Sequence, residues 1–182
     1  MRHEIRICGF GGQGVITAAV ILGKAAAVYD GLIACQVQSY GPEARGGAAR
    51  ADVIIADQPI GYPGVHSAGM LVAMSQEAFS RYGSAVQPGG LIIIDPDLVF
   101  QRDAAPALVP VRATQIAEGL GNTVVANIVM LGALTALTAV VSPEAMLAAT
   151  LASVPARFAE LNRRALEAGM AAGRAASAMA MA

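Results

Sequence analysis

The chain has 182 residues, 55% of them apolar and only 14% charged, with a formal net charge of −1. That length suits one domain with a substantial core, and near-neutral charge without a basic stripe excludes a nucleic-acid binder. Scarcity of charge points to a subunit that buries much of its surface against partners, and the opening Met1-Arg2-His3-Glu4-Ile5-Arg6 lacks the apolar core of a signal peptide, so a cytoplasmic protein is expected.

Glu4 to Cys8 alternates apolar and polar residues and reads as the first strand. Gly9-Phe10-Gly11-Gly12-Gln13-Gly14 joins it directly to a predicted helix over Val15 to Val28. Its glycines at 9, 11 and 14 match the spacing G-x-G-x-x-G, in which a tight turn lets backbone N–H groups at a helix start approach a phosphate. Leu32 to Gln38 is the second strand, 39–48 a loop, Arg50 to Ala56 the third strand, and Asp57 to Gly69 a loop punctuated by proline and glycine. Met70 to Met74 is a buried strand, and Ser75 is placed to cap a helix over Gln76 to Tyr82. Pro88-Gly89-Gly90 predicts a turn into the apolar run Leu91 to Ile94, which ends at Asp95.

After a short extended piece at 108–111, helices are expected over 113–120, 123–140, 143–152 and 155–172, with Ser142-Pro143 as a cap and first helical residue. These elements predict an α/β fold. It is a single three-layer domain over 1–172, with a mostly parallel or mixed sheet, a Rossmann-like first βα unit and a helical C-terminal part. The Ala/Met-rich tail, 173–182, is expected to fray unless it docks on a partner.

Thr123 to Val141 is long and apolar enough to prompt a membrane test. Asn122, Thr123, Asn127, Thr135 and Thr138 recur along it without Lys/Arg flanks, so a helix buried by protein is expected and no membrane span. Cys8 and Cys35 fall in predicted strands and read as small core residues, too few to complete a metal or cluster shell. His3 and His66 read as surface residues.

The glycine loop alone does not identify a chemistry. A dinucleotide site needs an acid at the end of the second strand, which here ends Gln36-Val37-Gln38, while Asp30 precedes it. A phosphate-binding G-x-x-x-x-G-K-[ST] loop fails because Val15-Ile16 stands where Lys-Ser/Thr is required. No G-x-S-x-G elbow occurs. Asp95 and Asp97 end a strand where ligand crevices form, and read first as turn and helix-capping acids.

Several segments together resemble one family. The glycine loop is followed by Val20-Ile21-Leu22-Gly23-Lys24-Ala25-Ala26, then by Gln38-Ser39-Tyr40-Gly41-Pro42-Glu43-Ala44-Arg45-Gly46-Gly47. Leu71-Val72-Ala73-Met74-Ser75-Gln76-Glu77-Ala78, Gly121-Asn122 and Ala126-Asn127-Ile128-Val129-Met130-Leu131-Gly132-Ala133 complete the pattern. This is similar to the gamma subunit of thiamine-diphosphate-dependent 2-oxoacid:ferredoxin oxidoreductases, most closely the 2-oxoglutarate type, across residues 4–170. Ser67-Ala68-Gly69-Met70 departs from it, lacking the acidic residue that usually precedes the next strand.

The resemblance implies a complex that decarboxylates a 2-oxoacid oxidatively to an acyl-CoA and sends electrons to ferredoxin. Thiamine diphosphate, Mg and the iron–sulfur clusters would be held by alpha and beta subunits, with a delta subunit where the complex has one. This chain would carry no self-sufficient catalytic site. Gly11, Gly12, Gln13, Gly14 and Arg45 are its candidate cofactor-binding residues. The glycine loop either holds part of coenzyme A or lets strand and helix pack closely. Arg45 either grips a phosphate or carboxylate or, as the favoured reading, pairs with an acid on a partner. Asn122 and Asn127 are expected to satisfy backbone or turn groups. A purely scaffolding subunit and a free-standing dinucleotide oxidoreductase are the alternatives.

Overall fold

The strands are β1 (Arg2–Phe10), β2 (Ile33–Gln38), β3 (Ala48–Ala56), β4 (Ala68–Ala73), β5 (Val86–Ile94) and β6 (Leu108–Pro110). They form one six-stranded sheet in the order β2-β3-β1-β4-β5-β6. The computed structural model describes residues 1–38, 47–100 and 108–180. β1, β4, β5 and β6 run parallel, whereas β3 is antiparallel to both of its neighbours, β1 and β2. The sheet is therefore mixed.

Side chains alternate across it, as a period of two requires. Ile5, Ile7, Val53, Ile55, Val72 and Ile93 point into the larger core. There they meet α1 (Val15–Lys24), α3 (Ala113–Gly119), α4 (Ala126–Thr138), α5 (Pro143–Leu151) and α6 (Ala159–Ala180). Cys8, Leu71, Ala73, Ile92 and Ile94 point the other way, onto Ala78 and Tyr82 of α2 (Gln76–Tyr82). Three layers result.

One charged pair lies under that second face. Arg6 donates to both oxygens of Asp52, at 2.7 and 2.9 Å, and to the carbonyl of Val65 at 2.8 Å. Their side chains are only 3% and 4% exposed. Burial works against the Arg6 charge, but the hydrogen bond and charge of Asp52 outweigh it and leave the guanidinium pKa raised.

Several boundaries depart from the sequence reading for identifiable reasons. The helix from Val15 stays α-helical only to Lys24, then widens into a π turn over Ala25–Tyr29. That turn ends at Asp30, whose carboxylate accepts from the N–H and hydroxyl of Ser142, both at 2.6 Å. Pro88-Gly89-Gly90 is not a turn before a strand but part of β5, where Gly89 (φ 77°) accommodates a register shift against β4. A short 3-10 turn, Thr123–Val125, precedes α4, and another, Ala156–Phe158, precedes α6. Two caps fall where the sequence placed them. Ser75 accepts from Ala78 N–H at 3.3 Å, and Ser142 from Ala145 N–H at 3.1 Å.

The tail differs most. Instead of ending near residue 172, α6 continues to Ala180. Alanine is the best helix former, and Gly173 rests against the Ala133 backbone of α4. The two helices touch backbone to backbone. A side-chain carbon on Gly132 would strike the carbonyl of Leu166, and one on Gly169 the carbonyl of Val129. α4 itself has 13 residues, about 20 Å at 1.5 Å per residue, and no described helix is long and apolar enough to cross a membrane. Thr135 and Thr138 return their hydroxyls to the carbonyls of Leu131 and Leu134, at 2.8 and 2.7 Å. These two threonines are thus satisfied within the helix.

Candidate functional site

β1 and β4 are adjacent and parallel, yet the helices that follow them leave to opposite faces, α1 to one core and α2 to the other. In open α/β sheets such a switch point opens a crevice at the strand ends. The glycine loop sits there. Gly12 (φ 104°) and Gly14 (φ 74°) adopt left-handed backbone that favours glycine. Gly14 is the N-cap of α1 and supplies no side-chain bond. Among the described residues no acceptor takes the first-turn N–H groups of Val15, Ile16 and Thr17, which a helix cannot satisfy internally.

Two amides brace the loop. Gln13 Oε1 accepts from Phe10 N–H at 2.5 Å and Gln13 Nε2 donates to the Met74 carbonyl at 2.8 Å. The Gln13 side chain therefore fills the gap between the ends of β1 and β4. It leaves Gly9 no room for a side chain, since an added Cβ would lie 2.6 Å from Gln13 Oε1. From the other side, Asn127 Nδ2 donates to the Gly14 carbonyl at 3.2 Å.

Three clefts converge on Gly12. The widest, about 470 Å³, runs from Gly12, Gly14 and Thr17 past Asn122 and Asn127 to Pro155, Phe158 and Asn162. A narrower one, about 250 Å³, lies between Gln13, Met74, Asp95, Leu98, Thr114 and Thr123. A third, about 210 Å³, covers the outer side of the loop from Phe10 to Thr17. Val124, 75% exposed, lines both of the first two and stands between them.

The structure brings Gly11, Gly12, Gln13 and Gly14 together, while Arg45 lies outside the described residues. Within the loop their roles divide. Gly11 N–H is taken by the Gly47 carbonyl at 3.2 Å and Gln13 N–H by the Phe10 carbonyl at 3.1 Å. With its side-chain amide also engaged, Gln13 shapes the loop. Asp95 behaves as a capping acid, accepting from Thr114 N–H and hydroxyl at 2.7 and 2.6 Å, and Asp97 pairs with Arg112 at 2.6 Å. Asn122 caps its turn through Val124 N–H at 3.0 Å. His66 stacks on Tyr62 far from the loop, with ring centroids 5.8 Å apart. Asn127 satisfies a backbone group, as expected, but that group is the Gly14 carbonyl 113 residues away, which no local pattern signals. Val124 is the site residue that sequence reasoning missed.

The cysteines do not meet. β3 separates their strands by about 10 Å at ordinary strand spacing, and Cys35 faces Ile54 whereas Cys8 faces Arg50, four residues further along β3. Among the described residues no group of three or more His, Cys, Asp or Glu could hold a metal ion. Cys8 is buried in the core as expected, whereas Cys35 is only half-buried. Burial is the main force that pushes the Cys8 thiol from 9.0 to about 12; nearby Arg6 pulls it down and Asp52 pushes it up. Iodoacetamide at pH 8 should modify Cys35 and spare Cys8 in the native chain, and modify both in guanidinium, as read by mass spectrometry. In the unfolded chain Cys8 ionises first, so its contribution to stability is complete below about 9 and lost as pH rises towards about 12. Equal labelling of both thiols in the native chain would contradict this.

Comparison with known proteins bears on the whole chain. The family model for pyruvate ferredoxin/flavodoxin oxidoreductase matches residues 4–172. The chain belongs to that family. It is 51% identical to the 2-oxoglutarate synthase subunit KorC of Methanothermobacter marburgensis, over 93% of this chain and 95% of that one. The solved gamma subunit of a keto/oxoacid ferredoxin oxidoreductase from Geobacter sulfurreducens superposes with a TM-score of 0.89 at 43% identity, covering 97% of this chain and 98% of that one. The same fold makes up 31% of a longer chain in the 2-oxoglutarate:ferredoxin oxidoreductase of Magnetococcus marinus, solved with 2-oxoglutarate, coenzyme A and succinyl-CoA bound. This chain matches it over 96% of its length, at 24% identity and a TM-score of 0.84.

Proposed function

We propose that this chain is the gamma subunit of a cytoplasmic 2-oxoglutarate:ferredoxin oxidoreductase, and that it presents coenzyme A to a reaction carried out on other subunits. The observation that carries the first part is 51% identity to a 2-oxoglutarate synthase subunit across nearly the full length of both chains. Alpha and beta subunits, and delta where present, are the partners, and ferredoxin is the electron acceptor of the assembled complex. In it, thiamine diphosphate with Mg supports decarboxylation, and iron–sulfur clusters carry the electrons. With two cysteines on separated strands, this chain is unsuited to holding a cluster.

The glycine loop supports the second part. Coenzyme A is long and anionic at one end. The loop offers an uncapped helix start and, at Gly12, open space where a side chain would otherwise stand. In this reading Gly12, Gly14 and the first turn of α1 receive phosphate oxygens, Gly11 and Gln13 hold the loop in shape, and the flanking clefts take the uncharged parts. Arg45 belongs to the proposal as a grip on phosphate or as the partner of an acid on a neighbouring subunit. A nicotinamide enzyme fits poorly, because Gln13 fills the switch-point gap and Asp30 is bound to Ser142.

Gly12→Ala tests the reading. A Cβ at Gly12 meets no atom of the described residues within 4 Å, so it enters the space assigned to the ligand, and at φ 104° alanine also strains the loop that shapes that space. In the complex assembled from all subunits, KM for coenzyme A should rise about tenfold, the equivalent of one or two lost hydrogen bonds. KM for 2-oxoglutarate should hold. Impaired assembly with an unchanged KM for coenzyme A would instead make the chain a scaffold.

A further inference from the structure

Asn127 sits in the first turn of α4 and is 7% exposed. Both ends of its amide are engaged. Oδ1 accepts from Ile128 N–H at 2.9 Å, which fixes Nδ2 toward the glycine loop, where it donates to the Gly14 carbonyl at 3.2 Å. That carbonyl also accepts from Ala18 N–H at 2.9 Å, the first bond of α1. Contact is intimate. A Cβ on Gly14 would strike Nδ2 and come within 3.1 Å of Cγ. Five residues earlier in the chain, Asn122 caps the turn that raises Val124 between the two larger clefts.

We propose that Asn127 is a positioning residue for the anion cradle, a role that rests on the coenzyme A reading above. The peptide it touches joins the Gly14 carbonyl to the Val15 N–H. Donation onto the carbonyl draws electron density toward oxygen and makes that N–H a stronger donor, as hydrogen-bond chains do. Asn127 thereby aims and polarises a group offered to phosphate without touching phosphate itself. It also ties the loop to α4, so the cradle is built before the ligand arrives and little ordering is left to oppose binding.

Substitutions at Asn127 in the assembled complex test this, with steady-state kinetics and calorimetric titration of coenzyme A. Asn127→Ser keeps a short donor, Asn127→Leu removes the donor without adding charge, and Asn127→Asp keeps the shape and the Ile128 bond but turns a carboxylate toward the carbonyl and the anion site. KM and Kd for coenzyme A should rise in that order, Asn127→Asp by about tenfold or more. KM for 2-oxoglutarate should move less than twofold. A merely structural role would lower the melting temperature and disturb assembly and both substrates alike, with Asn127→Leu as harmful as Asn127→Asp, and that result would overturn the proposal. Gly12→Ala separates the two readings. If it raises KM for coenzyme A while Asn127→Asp does not, the cradle stands and this role falls. If neither moves it, both fall.

Discussion

Asp52→Ala will destabilise the folded chain by about 3–5 kcal/mol, the usual cost of leaving one member of a buried ion pair without its partner. Arg6 would then keep only the Val65 carbonyl and the face of Tyr82, 5.6 Å from its guanidinium carbon, in a site nearly closed to water. The reciprocal change should cost less. If Arg6 becomes methionine, Asp52 still has Arg50, whose Nε lies 3.7 Å away on a side chain 34% exposed and able to close on it. The double substitution Arg6→Met/Asp52→Leu should recover most of the loss, because apolar groups of matching size need no partner. Chemical denaturation of the four proteins gives the cycle directly. Equal losses for the two single changes, or a double variant as weak as Asp52→Ala, would show that the pair does not govern stability.

At the crossing of α4 and α6, replacing Gly169 should have the next largest effect. In an open helix, glycine to alanine gains about 1 kcal/mol in propensity. Here the sign reverses. An added Cβ at Gly169 would strike the Val129 carbonyl and lie 2.9 Å from the Val129 Cα, all backbone atoms that only a shift of the whole helix can relieve. Overpacking of this kind costs about 1–3 kcal/mol for a methyl, so Gly169→Ala should be net destabilising and Gly169→Val should lose about 3 kcal/mol or more. Gly119→Ala is the control, since nothing lies within 4 Å of its added Cβ and the propensity gain should survive. Thermal melts of the three variants would refute the packing account if Gly169→Ala were as stable as Gly119→Ala.

Both effects mark the boundary between what was legible in the sequence and what was not. Strand and helix order, the two serine caps and the burial of α4 from Asn127 to Thr135 follow from local rules. Period-two alternation, capping side chains and the absence of charge act over a few residues, and tertiary context left them intact. Element ends moved where a distant contact intervened. Asp30 reaches Ser142 at the end of a widened turn, and α6 runs past its expected end along α4. Arg6 and Asp52 lie in strands that local pattern identifies, but nothing in the sequence joins them. They became a buried pair because α2, the loop carrying Val65 and the sheet close over that face.

For the candidate site the division is similar. By itself the sequence determined the glycine loop, the helix it starts and the family, because a turn that needs left-handed backbone and a specific run of side chains are written in consecutive residues. Only the tertiary structure decided what surrounds that loop. It turned Gln13 inward to bridge two strand ends, set Asn127 on the Gly14 carbonyl from 113 residues away, and raised Val124 between two clefts. Those contacts join elements that no local pattern pairs. They exist because parallel strands and their crossover helices bring remote segments to one edge of the sheet.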